Sequence, residues 1–170
     1  LREVQGNGVA PELLFVGDGM WERTKLFDAI RDKPNIAVVA TTTDGKTFGV
    51  RYSRPVSRIN ATSLDPTISA FVFRPNDEDF PFEMFTVKDE QRANVSVTFL
   101  DGSRSGHVRV AVDGVGEFWI GSEASYSFCE QLSAIFGGMR DDALNGHNGR
   151  DHPFHCQRVV ALHFKDGSEQ

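Results

Sequence analysis

Residues 35–54 read NIAVVATTTDGKTFGVRYSR. Positions 36–40, IAVVA, are apolar throughout, the pattern of a strand covered on both faces. Thr43-Asp44-Gly45-Lys46 follows, with the Asp-Gly pair that a primed hairpin turn favours because glycine tolerates positive φ. Positions 47–52 then alternate: Phe48, Val50 and Tyr52 on one face, Thr47, Gly49 and Arg51 on the other. The stretch therefore reads as a β-hairpin at the centre of a β-rich core. Gly49 is an isolated glycine in a strand, which predicts a bulge or a close backbone approach by a covering element. A helix over 21–32 is expected to be that element, with no substrate bound there.

Upstream, residues 1–10 lack periodicity and read as an arm. Pro11 opens a short apolar run over 12–16 that reads as a buried strand, ended by a turn at Gly17-Asp18-Gly19. From 21 to 32 the period becomes helical, with Leu26, Phe27 and Ile30 on one face, and Pro34 stops it. Downstream, 59–66 reads as a polar connection and 68–74 as a strand with Phe71 and Phe73 on one side, Ala70 and Val72 on the other. Pro75-Asn76-Asp77-Glu78-Asp79 is an acidic turn, lacking the ordered spacing of a calcium loop. Strands follow over 82–87, 94–100, 107–112 and 117–120, separated by a charged turn, a Gly-rich loop at 101–106 and Asp113-Gly114. Phe128, Leu132, Ile135 and Phe136 have helical spacing before Gly137-Gly138. Residues 139–150 read as a long surface loop, 154–165 as a closing strand inside the sheet system, and 166–170 as a tail. The whole is a mainly β chain of antiparallel sheets with a few helices, an α+β protein with one domain over 11–165.

The totals agree with that class. A chain of 170 residues is long enough for one real core. Fourteen Phe against two Trp and two Tyr favours dry packing. The formal charge of −6 is not the footprint of a non-specific nucleic-acid binder. No apolar run reaches membrane-spanning length, so no membrane insertion is expected. The start is not a signal peptide. Leu1 stands where an initiator Met would, so the chain is expected to be a processed or excised piece. Two cysteines, Cys129 and Cys156, read as reduced and buried thiols in a cytoplasmic protein, with the nucleus as the alternative compartment.

Chemistry is sparse. His147, Asp151, His152, His155 and Cys156 are the one dense cluster of ligand types, and His147, His152, His155 and Cys156 are the metal candidates. Their spacing matches no zinc signature. Pro153 interrupts the histidine pair, and His155 and Cys156 point to opposite faces of a strand. Cys156 beside histidines, or Cys129 near Glu130, would be the nucleophile candidates, but a thiol opening an apolar strand is usually inert packing. Arg51, Arg54, Arg58, Arg104 and Arg109, with His107, would form a basic face for nucleic acid if the sheet gathered them. There is no P-loop, dinucleotide fingerprint or nucleophile elbow, and no cofactor is expected.

The order of these features resembles the TLDc domain family over most of 11–165. Leu13-Leu14-Phe15 is similar to that family's opening strand and residues 21–30 to its first helix. Residues 35–39 followed by Gly45-Lys46-Thr47-Phe48-Gly49-Val50-Arg51-Tyr52 resemble its most recognisable element. Phe71-Val72-Phe73, Gly116-Glu117-Phe118-Trp119-Ile120-Gly121 and residues 159–164 resemble its later strands. The chain departs from the family at Gly121-Ser122-Glu123-Ala124-Ser125-Tyr126 and at Ala161-Leu162-His163-Phe164, where the usual acidic residue is missing. The resemblance implies a two-sheet antiparallel β-sandwich flanked by short helices. It also implies a non-catalytic role in the oxidative-stress response, with the vacuolar proton pump as a protein partner and no catalytic residues to transfer. A nucleic-acid-binding regulator and a metal-dependent enzyme using residues 147–156 are the alternatives.

Overall fold

A computed structural model describes residues 10–19, 21, 23–74, 78, 81–101, 106–121 and 127–165. Most of the arm, the acidic turn and the loop at 101–106, with residues 122–126 and the tail, lie outside them. The elements in order are β1 (Glu12–Asp18), α1 (Arg23–Ile30), β2 (Ile36–Thr42), β3 (Thr47–Tyr52), β4 (Thr62–Leu64), β5 (Ser69–Phe73) and β6 (Phe82–Thr86). After a 3-10 turn at Asp89–Gln91 come β7 (Ser96–Asp101), β8 (Gly106–Val112), β9 (Gly116–Gly121), β10 (Phe128–Glu130), α2 (Leu132–Ile135) and β11 (Cys156–His163). They form two antiparallel sheets, ordered β1-β11-β2-β3-β5-β6 and β10-β9-β8-β7-β4. No helix among the described residues is long and apolar enough to cross a membrane.

The core lies between the sheets. From one come Ile36, Val38, Ala40, Phe48, Val50, Tyr52, Ala70, Val72, Val159 and Ala161; from the other come Val97, Phe99, Val108, Val110, Phe118 and Ile120. Each set is the alternate residues of its strands, so period-two patterning puts one face of every strand into a single dry layer. Helix α1 joins this layer through Leu26, Phe27 and Ile30, with Phe27 tilted against Phe99 at 6.0 Å. It packs against β1 and β11 of one sheet and β7 and β8 of the other. It therefore lies on the inner side and does not cover Gly49, contrary to the sequence expectation.

Other differences have local causes. Only Gly45 of the hairpin turn has positive φ, with its N–H donating to the Thr42 carbonyl at 3.0 Å. The connection is thus a three-residue loop with a left-handed glycine, not a two-residue primed turn. The polar connection over 59–66 contains β4, a three-residue edge strand paired with β7. The helical spacing from Phe128 is carried by β10 and then by the single turn α2, which begins after a left-handed Gln131. The long loop after α2 is pinned to the core: Leu144 is buried, Phe154 meets Phe48 edge-on at 5.3 Å, and the Lys46 ammonium donates to the Asn145 carbonyl.

Asp65 ties the sheets together. Its fully buried carboxylate accepts the N–H groups of Ser53, Arg54 and Thr67 at 2.7, 2.7 and 2.8 Å, and the Thr67 hydroxyl at 2.6 Å. Its own N–H donates to the Val95 carbonyl. Burial alone would raise its pKa. The Thr67 hydroxyl and the backbone donors outweigh burial and hold it below the usual value. Replacing Asp65 with Ala strands these donors and is expected to cost about 2–4 kcal/mol in urea unfolding. A depressed folded pKa gives stability that is complete above the unfolded Asp value, about 3.9, and is lost as pH falls toward the folded value. The variant's stability should therefore depend less on pH than the parent's below about pH 4.

Candidate functional site

The outer face of the six-stranded sheet is unusual. Strand register places Val16, Val160, Val39, Gly49, Phe71 and Met84 side by side, one from each strand. This row contains no polar side chain. The rows on either side are Leu13, Leu162, Ala37, Arg51, Ser69, Thr86 and Asp18, Arg158, Thr41, Thr47, Phe73, Phe82. Among the described residues no helix or strand packs over this face: α1 belongs to the inner layer, and α2 packs against β9 of the opposite sheet. Leu13 is 59% exposed, Met84 49%, Val16 46% and Phe73 37%, so β1, whose apolar run reads as a buried strand, is instead an exposed edge strand paired only with β11. Exposed apolar area of this continuity marks an interaction surface more often than chance does. The apolar run in β2 is covered on both sides, as its pattern predicts: Val38 and Ala40 meet the core, Ala37 is buried with Phe71 and Phe164, and Val39 is half-buried against that second cluster.

Within the face lies a pocket of about 290 Å³ lined by Ala37, Val39, Thr47, Phe71, Phe73, Phe82, Leu162 and Phe164. Gly49 shapes it. A Cβ there would stand 2.2 Å from the Val38 carbonyl oxygen and 2.6 Å from Phe71 Cζ. Without that atom, the Phe71 ring lies down over β3 and packs with Ala37 and Phe164 as a small second core. Phe71 and Phe82 lie 5.8 Å apart, and the Arg51 guanidinium sits 5.0 Å over the Phe164 ring. Arg51 has no carboxylate partner among the described residues, whereas Arg158 on the same face pairs with Asp18 and Lys165 at its rim pairs with Glu12. Among the described residues, the face thus carries an uncompensated cation, Arg51, beside an apolar pocket.

The opposite outer face is polar and closed. Arg109 donates to Glu117 at 2.6 Å and to Asp113 at 2.8 Å, while Arg150 donates to Glu117 at 2.6 Å and Glu130 at 3.0 Å. Arg109 lies over Trp119 and Arg150 over Phe128, and those two rings stack at 5.7 Å. Arg109, Glu117, Glu130 and Arg150 border a 220 Å³ cleft with Gly114, Gly116 and Gln131. Both oxygens of Glu117 are engaged by arginines, which holds this carboxylate as an ion-pair partner.

The residues singled out from sequence are dispersed. His147 and His152 stack at 5.4 Å as exposed side chains, His155 is exposed, and Cys156 begins β11. Among the described residues no three His, Cys, Asp or Glu side chains could hold a metal ion together. Burial pushes the Cys156 thiol up to about 11 against a smaller opposing effect of Ser127, whose hydroxyl lies 3.7 Å away. Burial, with Cys156 nearby, pushes Cys129 higher still. Of the arginines, Arg51 and Arg109 lie on opposite outer faces, Arg54 donates to the Leu64 carbonyl at 3.1 Å, and Arg58 is exposed in the connection before β4. Arg104 lies outside the described residues. The described arginines therefore do not assemble into one basic face. The row from Val16 to Met84 escaped sequence reading because each strand contributes one member and only register aligns them.

The chain is thus a two-sheet antiparallel β-sandwich with one outer sheet face left apolar. Compared with protein-family models and with curated proteins, it matches none.

Two outcomes are expected. Gly49→Ala should destabilise by about 1–3 kcal/mol in thermal or urea unfolding, as overpacking does. Both thiols, held protonated at neutral pH, should resist iodoacetamide at pH 7.5 in the native protein and react fully in denaturant. Rapid native alkylation of Cys156 would contradict this.

Proposed function

We propose that the chain is a non-catalytic protein-interaction module, and that a partner protein docks on the outer face of the six-stranded sheet. The observation that carries the reading is the apolar row from Val16 to Met84, continuous through all six strands, over which no helix or strand packs among the described residues. The face extends beyond the pocket to Leu13 and Met84 at opposite sheet edges, more surface than a small ligand would cover. A membrane surface is a poor fit, since interfacial binders are rich in Lys and Arg and this chain carries −6. A second copy is a poor fit too. A two-fold contact centred on the pocket would bring Arg51 toward its own symmetry mate.

The resemblance to the TLDc family supplies the setting: the oxidative-stress response, a cytoplasmic site of action, and the vacuolar proton pump as the partner to test first. A photo-crosslinking amino acid such as p-benzoylphenylalanine in place of Leu13 or Met84 is expected to trap one and the same protein in peroxide-treated cells. The same group in place of Asp113, on the opposite sheet, should not trap it, and Phe73→Asp should abolish the adduct. Equal adducts from both faces, or none from Leu13 and Met84, would refute the reading.

A further inference from the structure

We infer that the pocket and Arg51 together read an acidic–apolar peptide segment: one large apolar side chain with a carboxylate within a few residues of it. This rests on the docking reading above and states what the partner must present.

The pocket is lined almost wholly by apolar groups, with the Thr47 side chain the one exception. Its 290 Å³ lies at the small end of ligand pockets, about 300–1,000 Å³, which suits the anchor residue of a longer segment rather than a complete ligand. Interface energy concentrates in such anchors, seated in pockets that exclude water. The Phe71 ring over Gly49, Phe73, Phe82 and Phe164 supply flat surfaces for an aromatic or branched anchor.

Arg51 sets the second requirement. Its guanidinium lies over Phe164, a wall of the pocket, so it sits on the rim and not in a separate patch. Arg51 also pairs in register with Ala37, another lining residue. An anchor seated in the pocket therefore brings the next few residues of its chain past this cation. The other cations at this face and its margins already have partners: Arg158 with Asp18, Lys165 with Glu12, and Arg74 with Glu83. A guanidinium presents a planar fork that takes a carboxylate bidentately, and it does so more strongly beside an apolar surface that excludes water. A basic segment would instead meet uncompensated like charge.

The test uses the whole 170-residue chain and random 12-residue peptides displayed on phage, selected on the parent and counter-selected on Val39→Asp. Recovered peptides are expected to carry Phe, Trp or Leu with Asp or Glu within four residues. In fluorescence polarisation with the synthetic peptides, Arg51→Glu should weaken binding about tenfold, and changing the peptide's acid to Lys should restore it. Phe73→Ser should weaken binding without the charge-swap rescue, a second readout should Val39→Asp fail to fold. Peptides without an acid, or peptides indifferent to Arg51→Glu, would overturn this inference and leave the docking reading intact. Recovery of no peptide that distinguishes parent from Val39→Asp and Phe73→Ser would overturn the inference, and the crosslinks from Leu13 and Met84 would then decide the docking reading separately. Dimerisation in sedimentation that is lost in Val39→Asp would assign the face to a second copy and overturn both.

Discussion

The six-stranded sheet depends on one close contact, the Phe71 ring lying over Gly49 where a Cβ would collide with both the ring and the Val38 carbonyl. A strand glycine normally weakens its strand, and a cross-strand aromatic neighbour offsets that cost by covering the bare backbone. The consequence reaches both sides of β3. Its inner residues Phe48, Val50 and Tyr52 fill the layer between the sheets, and its outer side becomes the floor beneath an aromatic-walled pocket. The same hairpin thus builds the core with one face and the interaction surface with the other.

The two outer faces solve the exposure problem in opposite ways. On the five-stranded sheet, the row Thr62, Thr98, Arg109, Trp119 and Phe128 is tied to its neighbour through Glu117, and Arg150 of the long loop closes the network. Arg109, Asp113, Glu117, Glu130 and Arg150 are mutually compensated there at hydrogen-bond distance. On the six-stranded sheet no described helix or strand packs over the apolar row, and Arg51 has no carboxylate partner among the described residues. Apolar surface left in water and an unpaired cation both gain from a partner that covers one and neutralises the other.

Much of the fold was legible because it rests on local patterning. The hairpin of β2 and β3, the clean alternation of Val95, Val97 and Phe99, and the buried centre of β11 each announce strands by period alone. What failed did so for definable reasons. The strand β4 is three residues long and only half-covered, so its alternation is too short to register. Phe128, Leu132, Ile135 and Phe136 fit a helical template by coincidence, one side chain lying on β10 and the rest around a single turn. The loop after α2 looks polar, yet Met139, Leu144 and Phe154 anchor it in the core, because a few well-placed apolar residues suffice to hold a polar segment. The histidine loop was the most conspicuous signal for chemistry, and its members are spread over exposed positions.

By itself the sequence determined most of the strands, though not β4 or β10, together with the antiparallel class and the importance of Gly49, since these follow from period, turn residues and side-chain volume within a few positions. Only the tertiary structure decided that Phe71, not a helix, covers that glycine. Only it decided that Arg51 and Arg109 face opposite ways, and that single apolar residues from six strands line up as one row. The physical reason is register. Which residues become neighbours across a sheet is set by pairing between strands as much as 151 residues apart, as with Glu12 and His163 of the closing strand, and no local pattern carries that information.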